Sequence, residues 1–457
     1  MEYHNFLNSK EFKYESSGFD VNIEEINPNL FEFQKHIVKW ALKKGKAALF
    51  LDTGLGKTIC QLEFANQIIK KFGGKILIIA PLAVSMQTKK EGEKFQIHVN
   101  ICRRQSDVID GINITNYEMI DHFDSHQFIG VILDESSIIK NFMGKITSSI
   151  IDKFRETPYK LCCTATPSPN DHQELGTHSE FLNIMKRSEM LANFFINDAK
   201  EGQWRMKRHA ENKFWQWVSE WAMVLKNPDD LGFDGSKYQL PPLNIKTIFV
   251  ESGVKIGELI PQPAKTLTER RDARKESIDL KIVEIQRLIN GMDNCLIWVD
   301  YNYESSAVSK LPGIVEVKGS DSLEHKEKSL VGFANGDIKF MVSKPSITGF
   351  GMNYQNCNNM IFMGLSDSYE RFYQAIRRSW RFGQMNPVNV YVLLNEREIS
   401  ILNNIKRKEK QHEEMTNNMV KYTNEILKKE IYNTTRITDT YNPLQNINIP
   451  KWLKEEK

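Results

Sequence analysis

Short runs of aliphatic and β-branched residues, set apart by stretches of helical period, limit most strongly what this chain can fold into. AALFL (47–51), KILIIA (75–80), GINIT (111–115), GVILD (130–134) and KLCCTAT (160–166) are apolar throughout rather than alternating. Such runs suit strands of a parallel sheet covered on both faces. The segments between them, such as TICQLEFANQIIKKFG, repeat with helical period and end at glycine. The pattern predicts a doubly wound α/β unit. It stops at residues 176–226, which are helical in composition and carry Trp204, Trp215, Trp217 and Trp221. A stretch dense in Pro, Gly and Asp follows and reads as a linker. A second series then starts: NIKTIFV (244–250), CLIWV (295–299), IVEVKG (314–319), KFMVS (339–343), NMIFMG (359–364) and VNVYVLL (388–394). The expected division is an N-terminal extension (1–27), a first α/β lobe (28–175), a helical aromatic-rich insertion (176–226), a linker (227–243), a second lobe (244–395) and a helical C-terminal extension (396–457). No repeat is visible in the sequence, although two α/β blocks of similar size can share a structure.

Composition narrows the function classes little. Hydrophobic residues make up 40% and charged residues 26% of the chain, ordinary for a soluble globular protein. A net charge of +3 neither demands nor excludes a nucleic-acid partner. The cysteines form no CxxC pair and sit in apolar runs, which predicts buried, reduced thiols. The opening residues do not read as a signal peptide, and the longest apolar run, ILIIAPLAV, is about half of what a bilayer requires. A soluble cytoplasmic protein, in a bacterial or phage-infected cell, is expected.

LFLDTGLGKT (49–58) passes from a strand through a glycine-rich turn into a helix. Such a turn aims backbone N–H groups at one point beside the positive end of a helix. Thr53, Gly54, Leu55 and Gly56 would form a phosphate cradle. Lys57 would reach the β- and γ-phosphates of ATP, and the Thr58 hydroxyl would hold Mg²⁺. The common GxxxxGK[ST] pattern has a glycine where this chain has Leu51. GVILDESS (130–137) ends a strand in two acids: Asp134 suits a water-mediated Mg²⁺ contact and Glu135 would polarise the attacking water. TATPSPND (164–171) is either a proline-rich turn or a segment whose hydroxyls, on Thr164 and Thr166, couple the γ-phosphate to the neighbouring block.

Phosphoryl transfer needs cations that meet charge developing on the γ-phosphate. The first block supplies Lys57 but no arginine finger, whereas QAIRRSWRFGQ (374–384) supplies three arginines far down the chain. Arg378 and Arg381, three apart, would share one face of a helical turn and cross the cleft. Arg377, about 100° round a helix of 3.6 residues per turn, would pair locally. An ATP site completed only when two lobes close turns hydrolysis into domain motion.

Together these motifs resemble the superfamily-two helicases, and among them the Swi/Snf-type DNA translocases. FQKHIVKW (33–40) resembles the family's glutamine motif, which implies that Gln34 reads adenine. DTGLGKT is similar to motif I, ILIIAPLAV to motif Ia and LDESSIIKN (133–141) to motif II. CCTATPSPNDHQELGTHSEFL (162–182) is similar to motif III with its extension, and NITNYEMI (113–120) to the segment ending in a tyrosine before motif II. TGFGMNYQ (348–355) is similar to motif V, placing Gly349 and Gly351 at the nucleotide, and QAIRRSWRFGQ to motif VI, placing Gln374 among the coupling residues. The wording is most similar to compact phage and prophage members. The resemblance implies two tandem RecA-like lobes, ATP and Mg²⁺ as cofactors, and movement along duplex DNA. Ser136-Ser137 stand where the family usually has Ala/Gly-His.

The family architecture implies a nucleic-acid track near Pro81, Asn116, Tyr117, Asn302, Lys318, Gly319, Ser343 and Thr348, by position rather than by motif chemistry. GQWRMKRHAENKFWQWVSEW (202–221) interleaves cations and tryptophans. Arg205 and Arg208 suit DNA phosphates, and Trp215 and Trp221 suit a core. A scaffold with an inert nucleotide site, or a P-loop NTPase switch without translocation, is the alternative function. No nuclease or methyltransferase signature is present, so such an activity, or a replication or recombination protein, is an expected partner of a monomer.

Overall fold

The computed structural model describes residues 16–81, 84–168, 171–198, 203–251, 266–347 and 353–431. In the first lobe, β1 (Lys46–Leu51), β2 (Lys75–Ala80), β3 (Val99–Ile101), β4 (Gly111–Asn116), β5 (Gly130–Asp134) and β6 (Tyr159–Cys163) build a parallel sheet. An antiparallel hairpin of β7 (Phe195–Asp198) and β8 (Gln203–Met206) follows, and then β9 (Ala222–Leu225). The seven-stranded order is β3-β4-β2-β5-β6-β1-β9. β9 lies parallel to β1, with Ala48 opposite Ala222.

That last strand departs from the helical reading of residues 176–226. AMVL is short and follows directly on the Trp-rich helix Glu211–Trp221, so its apolar run merges with the helical stripe. β3 was also unforeseen, being three residues long. Trp215 and Trp221 are core residues, packed with Ala48 and Phe50 of β1 under the first sheet. Residues 227–243 pack too: Leu231 joins the first core, and Tyr238 stacks on Phe382 with centroids 4.8 Å apart.

The second lobe contains β10 (Leu243–Val250), β11 (Cys295–Trp298), β12 (Ile314–Val317), β13 (Phe340–Ser343), β14 (Asn359–Phe362) and β15 (Val388–Asn395). All pairs are parallel, in the order β10-β15-β14-β11-β13-β12. Each lobe is a doubly wound RecA-like unit. The central strands are buried, apart from Lys75 at the start of β2, as continuous apolar runs require.

The helix Ile399–Ile431 joins the lobes. Ile401, Leu402 and Ile405 lie in the second lobe's core, whereas Met415 and Met419 lie in the first lobe's. The cysteines are unpaired and buried. Among the described residues no helix is long and apolar enough to cross a membrane.

Candidate active site between two lobes

The phosphate-loop segment leaves β1 at Leu51 and enters the helix Lys57–Phe72. Gly54 and Gly56 have φ of +96° and +84°, the left-handed region that residues bearing a Cβ avoid. The space is closed as well: a Cβ on Gly56 would run into the buried carboxamide of Gln34. Gln34 is buried, donates to the Leu55 carbonyl at 3.0 Å and accepts from Phe31 N at 3.0 Å. It therefore props the loop from behind. Lys57 Nζ donates to the Leu51 carbonyl at 2.8 Å, so the ammonium lies across the mouth of its own turn. Thr58 is in the first turn of the helix, and Leu55 is buried beneath the loop.

Asp134 closes β5, and Glu135 follows with φ +53°. Burial and the neighbouring Glu135 charge push Asp134 up to about 7, against the pull of Lys57. Thr164 Oγ1 donates to Glu135 Oε2 at 3.3 Å and accepts from Thr166 N at 3.1 Å. Thr166 Oγ1 in turn donates to Glu370 Oε1 of the second lobe at 3.5 Å. Lys140 forms an ion pair with the same Glu370. A hydroxyl relay thus runs from Glu135 to the other lobe.

The helix Tyr369–Ile376 ends at Arg377. Residues 377–381 continue as a turn, with Ser379 N and Trp380 N both donating to the Ile376 carbonyl. The regular helix therefore stops short of Arg378 and Arg381, which this turn carries. The expectation for Arg377 is overturned. It is 4% exposed and reaches across the cleft: Nη2 lies 2.7 Å from Asp52 Oδ1 and donates to the Thr53 carbonyl at 2.9 Å. Tyr373 OH donates to the same Asp52 oxygen at 2.9 Å. Tyr373 and Arg377 are four residues apart, one helical turn, and both meet the phosphate loop. Phe382 closes the contact, 3.0 Å from where a Gly54 Cβ would be.

Arg378 is lowered by burial and held up by the charge of Glu135. Arg381 is pushed down to about 10 by burial and by Arg378 and Arg377 beside it, and its guanidinium donates to Asn353 Oδ1. Arg381 is thus crowded by two guanidiniums, and Arg378 faces the Glu135 charge, an arrangement that favours a further anion beside them. Gln374 is half-buried on the same helix. Gly349, Gly351 and Thr348 lie outside the described residues.

Thr58 and Asp134 offer hard oxygen donors that fit Mg²⁺. The carboxamide of Gln61, one turn along the helix from Thr58, is fully buried beside Asp134, and its hydrogen bond favours the charged carboxylate. A buried carboxylate whose charged form is favoured by such a donor is an oxygen ligand that a hard cation can use.

The expected track residues scatter. Tyr117 is buried and its hydroxyl donates to the Asp134 carbonyl at 2.7 Å, so it supports the acidic strand tip from inside. Ser343 is fully buried with its hydroxyl on the Val317 carbonyl. Asn116 is buried and caps the Glu118 N–H. These three side chains face the protein rather than a ligand. Lys318 pairs with Glu316 at 2.8 Å. Pro81 is half-buried after β2, whereas Asn302, Gly319, Arg205 and Arg208 are exposed. Asp52, Tyr373, Lys140 and Glu370 went unread. Their only signals were an acid inside the loop and the spacing of Tyr373 and Arg377.

A phosphate loop and acidic strand tips on one RecA-like lobe, facing arginines on a second, define a two-lobed P-loop ATPase of the helicase class. Residues 33–211 match the SNF2-related domain and residues 280–383 the helicase conserved C-terminal domain. The chain belongs to the Swi/Snf-type superfamily-two helicases and is an ATP-hydrolysing enzyme. It is 24% identical over 421 residues to the uncharacterized ATP-dependent helicase YqhH of Bacillus subtilis (strain 168), covering 80% of this chain and 74% of that protein. A solved structure, the Sulfolobus solfataricus SWI2/SNF2 ATPase core in complex with dsDNA, aligns at 18% identity with a TM-score of 0.43, over 91% of this chain and 97% of that one.

Proposed function

We propose that this enzyme is an ATP-driven motor that moves along duplex DNA, with Mg²⁺ held by Thr58 and Asp134. The observation that carries the reading is the meeting of Asp52 and Thr53 with Tyr373 and Arg377, more than 320 residues along the chain. The nucleotide loop and the arginine segment are in contact across the cleft, so what happens at one lobe acts on the other. ATP binds at the loop and its γ-phosphate meets Arg378 and Arg381. Mg²⁺ held by Thr58 and Asp134 would neutralise phosphate charge. Glu135 polarises the attacking water, while Thr164 and Thr166 link that carboxylate to Glu370 on the second lobe. After hydrolysis and phosphate loss the cations face one another with less anion between them, which favours opening. Arg205 and Arg208, exposed on the hairpin and the turn after it, offer cations to a backbone without reading sequence.

The test is ATP hydrolysis measured without polymer and with duplex DNA, single-stranded DNA or RNA, beside displacement of a triplex-forming strand from the duplex. Duplex DNA is expected to stimulate hydrolysis and to support displacement. Equal rates under all four conditions would leave the NTPase switch as the better reading.

A further inference from the structure

Glu135 has a left-handed backbone, φ +53° and ψ +53°, which a residue with a Cβ adopts only when its surroundings impose it. Tyr117 fixes the preceding carbonyl, that of Asp134. On the other side, the hydroxyl of Ser136 lies 3.1 Å from Nε2 of His178, in the helix Leu175–Phe181 that follows motif III. Both residues are fully buried. The other ring nitrogen of His178, Nδ1, faces the Glu174 carbonyl at 3.4 Å, and the ring stands edge-on to Phe50 of β1 with centroids 5.4 Å apart. A carbonyl only accepts, so a ring nitrogen donates to Glu174, and the ring meets Ser136 at both its hydroxyl and its backbone carbonyl. Burial pushes the imidazole down to about 4, which keeps the ring neutral near pH 7.

The sequence departs from its family here, with Ser136-Ser137 where an Ala/Gly-His pair usually follows the acids. The ring that bonds to this turn comes instead from a helix 42 residues further on.

We propose that His178 is a positioning residue for hydrolysis. Its ring anchors the Ser136 hydroxyl, and the anchored turn locks Glu135 in the left-handed conformation that presents its carboxylate to Thr164 and the cleft. This rests on Glu135 as the water-polarising group. It adds a residue, on a different element, through which that carboxylate is aimed.

Four variants decide it: Ser136→Ala, His178→Phe, their combination, and His178→Gln, whose amide oxygen can accept from the serine. Glu135→Gln is the reference. DNA-stimulated ATP hydrolysis, binding of a fluorescent ATP analogue and melting temperature are read on the full chain. Ser136→Ala and His178→Phe are expected to lower kcat about tenfold or more, because misplacing a catalytic group by a fraction of an ångström is costly. Nucleotide affinity should stay within about twofold of wild type. The double variant should be no slower than the slower single one, and His178→Gln should recover part of the rate. Ser136→Ala removes one oxygen, so it carries the test if His178→Phe does not fold. Wild-type kcat in Ser136→Ala beside an inactive Glu135→Gln would overturn the proposal, as would multiplicative losses in the double variant. A fully active Glu135→Gln would instead overturn the carboxylate assignment beneath it.

Discussion

Replacing Arg377 by alanine removes the cation that joins the two lobes at the phosphate loop. The variant loses the 2.7 Å ion pair to Asp52 and the 2.9 Å hydrogen bond to the Thr53 carbonyl. Breaking a fully buried pair costs about 3–5 kcal/mol. Asp52 keeps 23% exposure, so water recovers part of that and about 2 kcal/mol remains. The lost bond to Thr53 adds about 1 kcal/mol. Together, about 3 kcal/mol moves the closed-to-open equilibrium about a hundredfold. The contact spans the lobes, so the loss should appear first as lobe separation. The assay is energy transfer between one dye on each lobe, without nucleotide, in wild type, Arg377→Ala, Asp52→Ala and the double variant. Asp52→Ala loses the same pair and the Tyr373 bond, so the singles should open the cleft to a similar degree and the double only about 1 kcal/mol further, a coupling of about 2 kcal/mol. The KM for ATP should rise, because ATP must then restore closure. Additive effects of the two singles, or unchanged transfer in Arg377→Ala, would refute the reasoning.

Arg378→Ala and Arg381→Ala should lower kcat by about a thousandfold, as loss of other arginine fingers does, with melting temperature nearly unchanged. A modest rate loss with a lowered melting temperature would make them structural instead. Lys57→Ala should abolish ATP binding, while Glu135→Gln should bind ATP and hydrolyse it slowly, as equilibrium binding beside single-turnover rates will show. The raised Asp134 predicts a pH effect. Its ordinary value of 3.8 is pushed up to about 7 in the fold, so below about pH 7 the native carboxyl holds a proton. That proton stabilises the metal-free fold as pH falls through this window, and it competes with Mg²⁺. The Mg²⁺ concentration for half-maximal hydrolysis should therefore rise about tenfold per unit as pH drops below 7. A flat Mg²⁺ requirement between pH 8 and 6 would remove Asp134 from the metal site.

Where local sequence decides the outcome, the reading from residues alone was close. The central strands are legible because a run such as ILII, buried on both sides, can hardly be anything else, and the motif residues sit at the tips of those strands. β9 was not legible. AMVL becomes a strand because β1 has an open edge beside it, a fact of sheet order rather than of its own pattern. Arg377 pairs across the cleft with Asp52 on the other lobe, which spacing within its own segment cannot show. Tyr117 and Ser343 were set near a ligand by their positions after strands. Their hydroxyls meet carbonyls of other strands, β5 for Tyr117 and β12 for Ser343, which nothing in their own segments announces. The His178–Ser136 bond joins two segments through a contact that only the packed structure reveals.

The long helix adds a constraint on how such a cleft can move. Its two apolar anchors, Ile401, Leu402 and Ile405 in one lobe and Met415 and Met419 in the other, are separated by KRKEKQHEE (406–414). Within that polar stretch His412 is buried, against Tyr369 at 5.6 Å and Tyr373 at 5.7 Å. Tyr373 is the residue whose hydroxyl holds Asp52. A continuous helix resists stretching, because lengthening it breaks its backbone hydrogen bonds, so the lobes cannot part by simple translation while both anchors stay packed. Rotation about the helix, or bending within 406–414, remains open to them. Either motion shifts His412 against Tyr373 and so bears on the tyrosine that helps close the phosphate loop. The brace and the nucleotide contact are thus mechanically in series.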